Sequence, residues 1–402
     1  MITGRDFIFI SSIEWGFLWQ AHQEIASRLA AAGNRVLYIE NMGVRTPSLG
    51  DAGRIAGRLK NWASALRSKG VRQVAPNIQV CSPLVCPPFG SGWRRALNRR
   101  FFLPGLKRTA RDLGFRDPII WTYLPTDAGA ELIRLLSSPK GLVVYHCVAD
   151  FTQLTPQVEL LRQSERDVLS LSDLVFASCA QLEKNAAQIN QNVFLTAHGV
   201  SLDAFPYADS LERKQSPPVE LPSLSHPIIG YVGGIHRHLD LDLIRQVALR
   251  RPEWTWVLVG SVQVSVEMLQ NLDNIKIVGA KPHSELVKYI RHFDVCTVPY
   301  ANTESTATVV PTKINEYLAV GRPVIATDLP TIREFNEAHG ILNLAANDPD
   351  SFIATIEAAL LSSDDDSLAR RRRALAEKAD WGLRLERISE IIEERLARRE
   401  NI

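Results

Sequence analysis

Residues 311–325 read Pro311-Thr-Lys-Ile-Asn-Glu-Tyr-Leu-Ala-Val-Gly-Arg-Pro-Val-Ile325, and this stretch decides the architecture. Proline suits the first turn of a helix, because the N–H it lacks is one that no helical carbonyl would receive. Gly321 supplies the stop. Pro323–Thr327 is then a short apolar run, as expected of a strand buried on both faces. The segment is a helix feeding a strand, the repeating unit of a parallel sheet.

Outward from it the same alternation recurs. Ile228–Val232, Thr255–Val259, Ile275–Val278 and Val295–Val298 read as strands, each followed by a helical segment. Nearer the N-terminus, Phe7–Ser11, Arg35–Glu40, Ile119–Leu124, Leu142–Cys147, Leu174–Ser178 and Val193–Thr196 read likewise. Between the first two of these, Leu18–Ala32 carries Ala21, Ile25, Leu29 and Ala32 at helical spacing. The two series are separated by 206–226, rich in proline and serine and without periodicity, which reads as a linker. The expected fold is α/β, two doubly wound domains over 1–205 and 227–380, with ligands taken at the carboxyl ends of the strands in a central cleft. Leu383–Arg399 places Leu385, Ile388, Ile391, Ile392 and Leu396 on one helical face, whereas Asp364–Lys378 is polar enough to be expected largely in solvent.

Composition narrows the class. With 402 residues, 46% apolar and 22% charged, the chain can fill two cores, which excludes disorder and fibrous structure. The apolar runs fall short of the roughly 18–20 residues that span a bilayer. Met1-Ile-Thr-Gly-Arg-Asp has no basic region followed by an apolar stretch, so no secretion signal is expected. The 5 cysteines are scattered without a Cys-x-x-Cys, which points to a reducing cytoplasm and not to a disulfide framework or structural zinc.

The net charge of +2 hides a segregation: residues 45–116 carry +13 and the remainder −11. Trp93, Phe101, Phe102 and Leu103 interleave with Arg94, Arg95, Arg99 and Arg100. That pattern suits peripheral association with an anionic membrane, at the inner face of the cytoplasmic membrane, in preference to nucleic acid.

The chemistry concentrates at the start of the 311–320 helix. A helix amino terminus offers unpaired N–H groups and about half a positive charge, a ready site for phosphate. Lys313 is disfavoured there by roughly 0.3–1 kcal/mol unless an anion lies between it and the helix end. Glu316, three residues on, shares its face and is placed to accept both hydroxyls of a ribose; Ser305, Thr306, Thr308 and Thr312 add hydroxyls. Gly233 and Gly234 follow a strand, so that backbone can approach a diphosphate closely. Arg237 can pair with phosphate bidentately. Gly260 opens a second close-approach loop, and Tyr300 ends a strand at the same rim.

Pro311-x-Lys-x-x-Glu-Tyr-Leu-Ala-x-Gly-x-Pro-Val resembles the donor-site signature of GT-B glycosyltransferases, and more narrowly the family-4-like bacterial enzymes that build exopolysaccharide or teichuronic-acid-type glycans. Phe9-Ile-Ser-Ser-Ile-Glu-Trp-Gly-Phe-Leu-Trp-Gln, Val144-Tyr-His-Cys-Val-Ala-Asp-Phe, Ala197-His-Gly-Val-Ser-Leu-Asp-Ala-Phe and Gly230-Tyr-Val-Gly-Gly-Ile are similar to its other landmarks. The resemblance implies two Rossmann-like domains. It also implies a terminal segment, 381–402, that crosses back onto the first. Two departures stand out: the family's Glu-x7-Glu pair keeps only Glu316, with Thr308 at the first position, and its Asp-Asp pair is reduced to Ala149-Asp150.

The implied function is transfer of a sugar from a nucleoside diphosphate sugar, a UDP-sugar, to a glycan or lipid-linked acceptor. Asp150, just past a strand end, is the candidate base, since a sugar hydroxyl attacks well only as its proton is accepted. His22 and His146 are alternative bases, and Trp15, His22 and His146 are candidate acceptor contacts. No cofactor is expected beyond the nucleotide-sugar co-substrate, and no metal: Asp240-Leu-Asp242 opens a helix, where aspartate caps. A nucleotide-sugar epimerase, or a nucleotide-sugar-binding subunit without turnover, stays open as the alternative.

Overall fold

The computed structural model describes residues 1–43, 70–83, 85–86, 92–207, 217–221 and 223–400. The chain divides into two compact units, Met1–Ala197 with Arg384–Ile402, and His198–Leu383.

In the first unit the strands are β1 Asp6–Ile10, β2 Arg35–Ile39, β3 Val71–Ala75, β4 Ile78–Cys81, β5 Ile119–Thr122, β6 Leu142–Cys147, β7 Leu174–Ala177 and β8 Val193–Leu195. They hydrogen-bond in the order β3-β4-β2-β1-β5-β6-β7-β8. β5, β6 and β7 are buried at every position. Helices cover both faces of such a strand, so its sequence is a continuous apolar run without alternation.

One expectation fails here. The sheet is not wholly parallel, because β3 pairs antiparallel to β4. Asn77, at φ 62°, turns the chain between them. β3 is an edge strand with partly exposed polar residues, so it carries no apolar run to be read. Of the basic stretch 45–116, residues 45–69, 84 and 87–91 lie outside the described residues. The rest includes helical turns at Gly92–Leu97, Asn98–Phe102 and Leu103–Asp112. Trp93 and Phe101 are 60% and 66% exposed, so these aromatics face solvent and not the core. The last helix, Trp381–Glu400, buries Leu385, Ile388, Ile392 and Leu396, and Arg399 reaches the Gly141 carbonyl and the Asp173 carboxylate.

In the second unit all strands run parallel: β9 Ile228–Val232, β10 Thr255–Val259, β11 Ile275–Gly279, β12 Val295–Val298, β13 Val324–Thr327 and β14 Asn343–Ala345. Their order is β11-β10-β9-β12-β13-β14, so the winding reverses between β9 and β12. This unit begins at His198, ahead of the stretch read as a linker, because Val200 bridges to Asp380 and Phe205 and Leu221 enter this core.

The segment expected in solvent is also corrected. Asp366–Glu377 is a helix with Ala369, Arg372 and Ala376 buried. Arg372 donates to the Gly321 carbonyl at 3.2 Å, and Arg373 to those of Phe205 and Ala319 at 2.9 and 3.1 Å. Helix ends leave carbonyls unpaired. Arg372 is buried and Arg373 half-buried because they satisfy carbonyls at the end of the Lys313–Val320 helix and, for Arg373, that of Phe205 as well.

Candidate functional site

In a doubly wound sheet the crevice opens where the strand order reverses, here at the carboxyl ends of β9 and β12. Gly233 and Gly234 leave β9, and Tyr300 follows β12. Gly233 has φ 143°, and a Cβ on it would lie 2.8 Å from Lys313 Cε. A Cβ on Gly260 would lie 1.8 Å from the Gly233 carbonyl oxygen. The two loops interlock at Gly260, where only glycine fits, while Gly233 favours glycine through its backbone conformation. The Gly233 N–H donates to the Val259 carbonyl at 2.8 Å, which fixes the loop.

Lys313 arrives from the first turn of the Lys313–Val320 helix, which Gly321 ends at φ 86°. Tyr317 of the same helix anchors it to β9: the Val232 N–H donates to the Tyr317 hydroxyl at 2.8 Å. Lys313 is 9% exposed. Its Nζ donates to the Tyr300 hydroxyl at 2.6 Å and lies 5.2 and 5.0 Å from the ring centroids of Tyr231 and Tyr300. Among the described residues no carboxylate pairs with it. A buried ammonium held by hydroxyl and π faces alone is short of negative charge. Thr312 is half-buried at the same helix end, and its side chain makes no cap.

Arg237 is exposed beyond the loop, between His236 and His238. Burial, then the Lys313, His238 and Arg237 charges, push His236 down to about 4. Burial, then Arg237 and Lys313, also lower His238. Glu316 is half-buried, with Oε1 3.9 Å from His283 Nε2. His283 opens the helix after β11, and its ring meets Phe205 edge-on at 5.1 Å. Gly233, Gly234, Gly260, Tyr300, Thr312 and Lys313 therefore converge, with Arg237 at the rim. The sequence reading missed His283 and the place of Tyr231 beside Lys313, because both are tertiary neighbours with no local pattern. Asp240 accepts from the Leu243 N–H at 2.9 Å, an N-cap.

In the first unit Trp15, His22 and His146 join one line of rings at the carboxyl ends of β1, β2, β5 and β6. Trp15 meets Tyr38 edge-on at 5.0 Å. Ser11 Oγ lies 2.6 Å from the Tyr38 hydroxyl and 2.9 Å from His22 Nδ1. Tyr123 stacks on His22 at 3.6 Å and on His146 at 5.1 Å. His22 and His146 are buried, so only Trp15, half-buried, offers an open edge. Asp150 caps the short helix Phe151–Leu154: its Oδ1 accepts from the Thr152 N–H at 3.0 Å and from its hydroxyl at 2.5 Å. It also borders a cavity of about 280 Å³ that Cys147, Glu165 and Arg166 help to line. Burial, more than the nearby Asp150, raises Glu165, which accepts from the Tyr145 hydroxyl at 2.8 Å.

Residues 226–362 match the family profile described as "Glycosyl transferases group 1". The putative teichuronic acid biosynthesis glycosyltransferase TuaH of Bacillus subtilis (strain 168) is 26% identical over 232 residues, 56% of this chain and 57% of that protein. The match thus spans little more than half the length of that relative. Among solved structures, sucrose-phosphate synthase of Thermosynechococcus elongatus superposes at a TM-score of 0.71 and 17% identity, covering 98% of this chain and 100% of that one. Anabaena Alr3699/HepE in complex with UDP superposes at 0.68 and 13%, covering 97% and 100%. The chain thus has the GT-B fold of these solved structures, and residues 226–362 are similar to the group 1 glycosyl transferases.

Proposed function

We propose that this chain transfers a sugar from a UDP-sugar to a glycan or lipid-linked acceptor in cell-surface polysaccharide assembly. One observation carries the reading: a buried lysine ammonium without a carboxylate partner among the described residues, set beside a glycine loop and a helix amino terminus. A nucleoside diphosphate supplies the charge that arrangement lacks. The UDP complex of the similarly folded HepE supports the choice of nucleotide, and the TuaH relative supports the pathway.

In this reading Gly233, Gly234 and Gly260 admit the diphosphate, Lys313 and Arg237 stabilise it as it leaves, and Glu316 holds the ribose. Asp150 accepts the attacking hydroxyl's proton through Oδ2, which has no hydrogen-bond partner among the described residues, while Thr152 holds Oδ1. Trp15 stacks on the acceptor, with His22 and His146 behind it. The exposed Trp93 and Phe101, among arginines, hold the protein at the inner face of the membrane.

The test is thermal unfolding with UDP-, GDP- and ADP-sugars, since a ligand of the folded state alone raises Tm with its concentration. A UDP-sugar should raise Tm, and Lys313→Ala should abolish the rise along with transfer to membrane lipid extract. A panel that leaves Tm unmoved, or unchanged binding by Lys313→Ala, would overturn the assignment.

A further inference from the structure

We propose that His236 is a donor-binding residue, which gives an uncharged N–H from Nε2 to a phosphate oxygen of the nucleoside diphosphate. The inference rests on the reading above and adds to it a residue type and a charge state.

The geometry fixes the tautomer. The His238 backbone N–H donates to His236 Nδ1 at 3.2 Å, so Nδ1 is the acceptor and the ring proton sits on Nε2. The ring is also oriented. His236 Cδ2, the carbon bonded to Nε2, lies 3.4 Å from where a Cβ on Gly234 would be, so the Nε2 edge runs along the glycine loop. Tyr300 packs against the ring at 5.9 Å and His238 meets it edge-on at 5.0 Å. Tyr300 is the same residue whose hydroxyl accepts the Lys313 hydrogen bond, so one hydroxyl-bearing ring locates both donors. Among the described residues Nε2 has no protein acceptor.

Charge explains why an imidazole serves here. Lys313 and Arg237 already bring two cations to the loop, and both oppose a third on His236. A neutral histidine adds a directional donor without adding to that repulsion, and it stays neutral where an ordinary histidine titrates. His238 follows the same logic: its Nε2 is buried without a partner among the described residues, which an imidazolium would not tolerate.

The experiment is calorimetric titration of UDP, at pH 7, into wild type, His236→Gln and His236→Asn, with folding checked by thermal unfolding. Glutamine carries its amide N–H to about the Nε2 position, whereas asparagine reaches only Nδ1. Glutamine should bind UDP within threefold of wild type, and asparagine about tenfold more weakly. Equal binding by all three, or a loss as large in glutamine as in asparagine, would overturn the role of His236 and leave the donor site standing. Failure of the wild type to bind UDP would instead remove the donor site and this inference with it.

Discussion

Lys313 Nζ and the Tyr300 hydroxyl, thirteen residues apart, meet at 2.6 Å on the inner side of the glycine loop. A lysine in a helix's first turn is disfavoured by roughly 0.3–1 kcal/mol. A hydrogen bond to a charged group contributes about 1.5–3 kcal/mol, and a π face about 0.5–2 kcal/mol. The contacts thus outweigh the dipole and hold the amine in place, but they bring no negative charge.

Tyr300→Phe keeps the ring face and removes the hydroxyl. UDP affinity should fall about tenfold, on the order of 1.4 kcal/mol, because the amine is freed to reorient. The ring stays buried, so Tm should move by no more than a few degrees. Titration calorimetry of UDP alongside thermal unfolding checks this; undiminished affinity would mean that Tyr300 does not position the lysine.

Gly260→Ala tests the interlock of the loops. The methyl would meet the Gly233 carbonyl oxygen at 1.8 Å, and that is backbone that cannot swing aside. Destabilisation of about 3 kcal/mol or more is expected, with loss of UDP binding because the β9 loop must shift. Urea unfolding measures it, and a midpoint equal to wild type would contradict the close approach.

Much of this was legible beforehand, and each exception has a physical cause. Buried parallel strands such as Ile228–Val232 and Leu142–Cys147 declare themselves as apolar runs. The Lys313 helix does so through Pro311 and Gly321. β3 escaped because an edge strand needs no apolar run. The helix Asp366–Glu377 escaped because its burial works through arginines that serve carbonyls of distant residues, which composition counts as solvent-seeking. At the candidate site the loop glycines and Lys313 are local signals. Tyr300's hold on Lys313, the stack of His22 on Tyr123 and the approach of His283 to Glu316 exist only once the sheet is wound.

Arg373→Ala should therefore destabilise the second unit although the residue lies in a polar segment. It removes donors at 2.9 and 3.1 Å from the carbonyls of Phe205 and Ala319 and leaves them unpaired. A cost of about 2 kcal/mol is expected. Urea unfolding reads it directly, with Arg370→Ala, on an exposed position of the same helix, expected within about 0.5 kcal/mol of wild type.

The lowered His236 gives a pH dependence of definite sign. The unfolded histidine takes up its proton near 6.5, the folded one only near 4, so the unfolded state binds more protons in between. The stability it contributes is complete above pH 6.5 and is lost as pH falls toward 4. His236→Gln has no such proton to gain. From pH 7.5 to 4.5 the wild type should lose more unfolding free energy than the variant in urea titrations. Parallel losses would show that the imidazole is not held neutral.

The arginine-rich segment yields the last prediction. Trp93 and Phe101 project 60% and 66% exposed, with Arg95, Arg99 and Arg100 exposed around them. Each arginine near an anionic surface contributes about 1 kcal/mol, and the aromatic rings favour the interfacial zone. Wild type should sediment with vesicles containing phosphatidylglycerol, less so in 0.5 M salt, since the attraction is screened. Trp93→Ala with Phe101→Ala should weaken this at least tenfold, and Arg95→Ala with Arg100→Ala by a similar factor, on the order of 1.4–2 kcal/mol. Both pairs should leave UDP binding intact, because they lie in the first unit and the donor residues in the second. Equal binding to neutral vesicles would exclude the charge contribution, and no binding to either kind would exclude the membrane role.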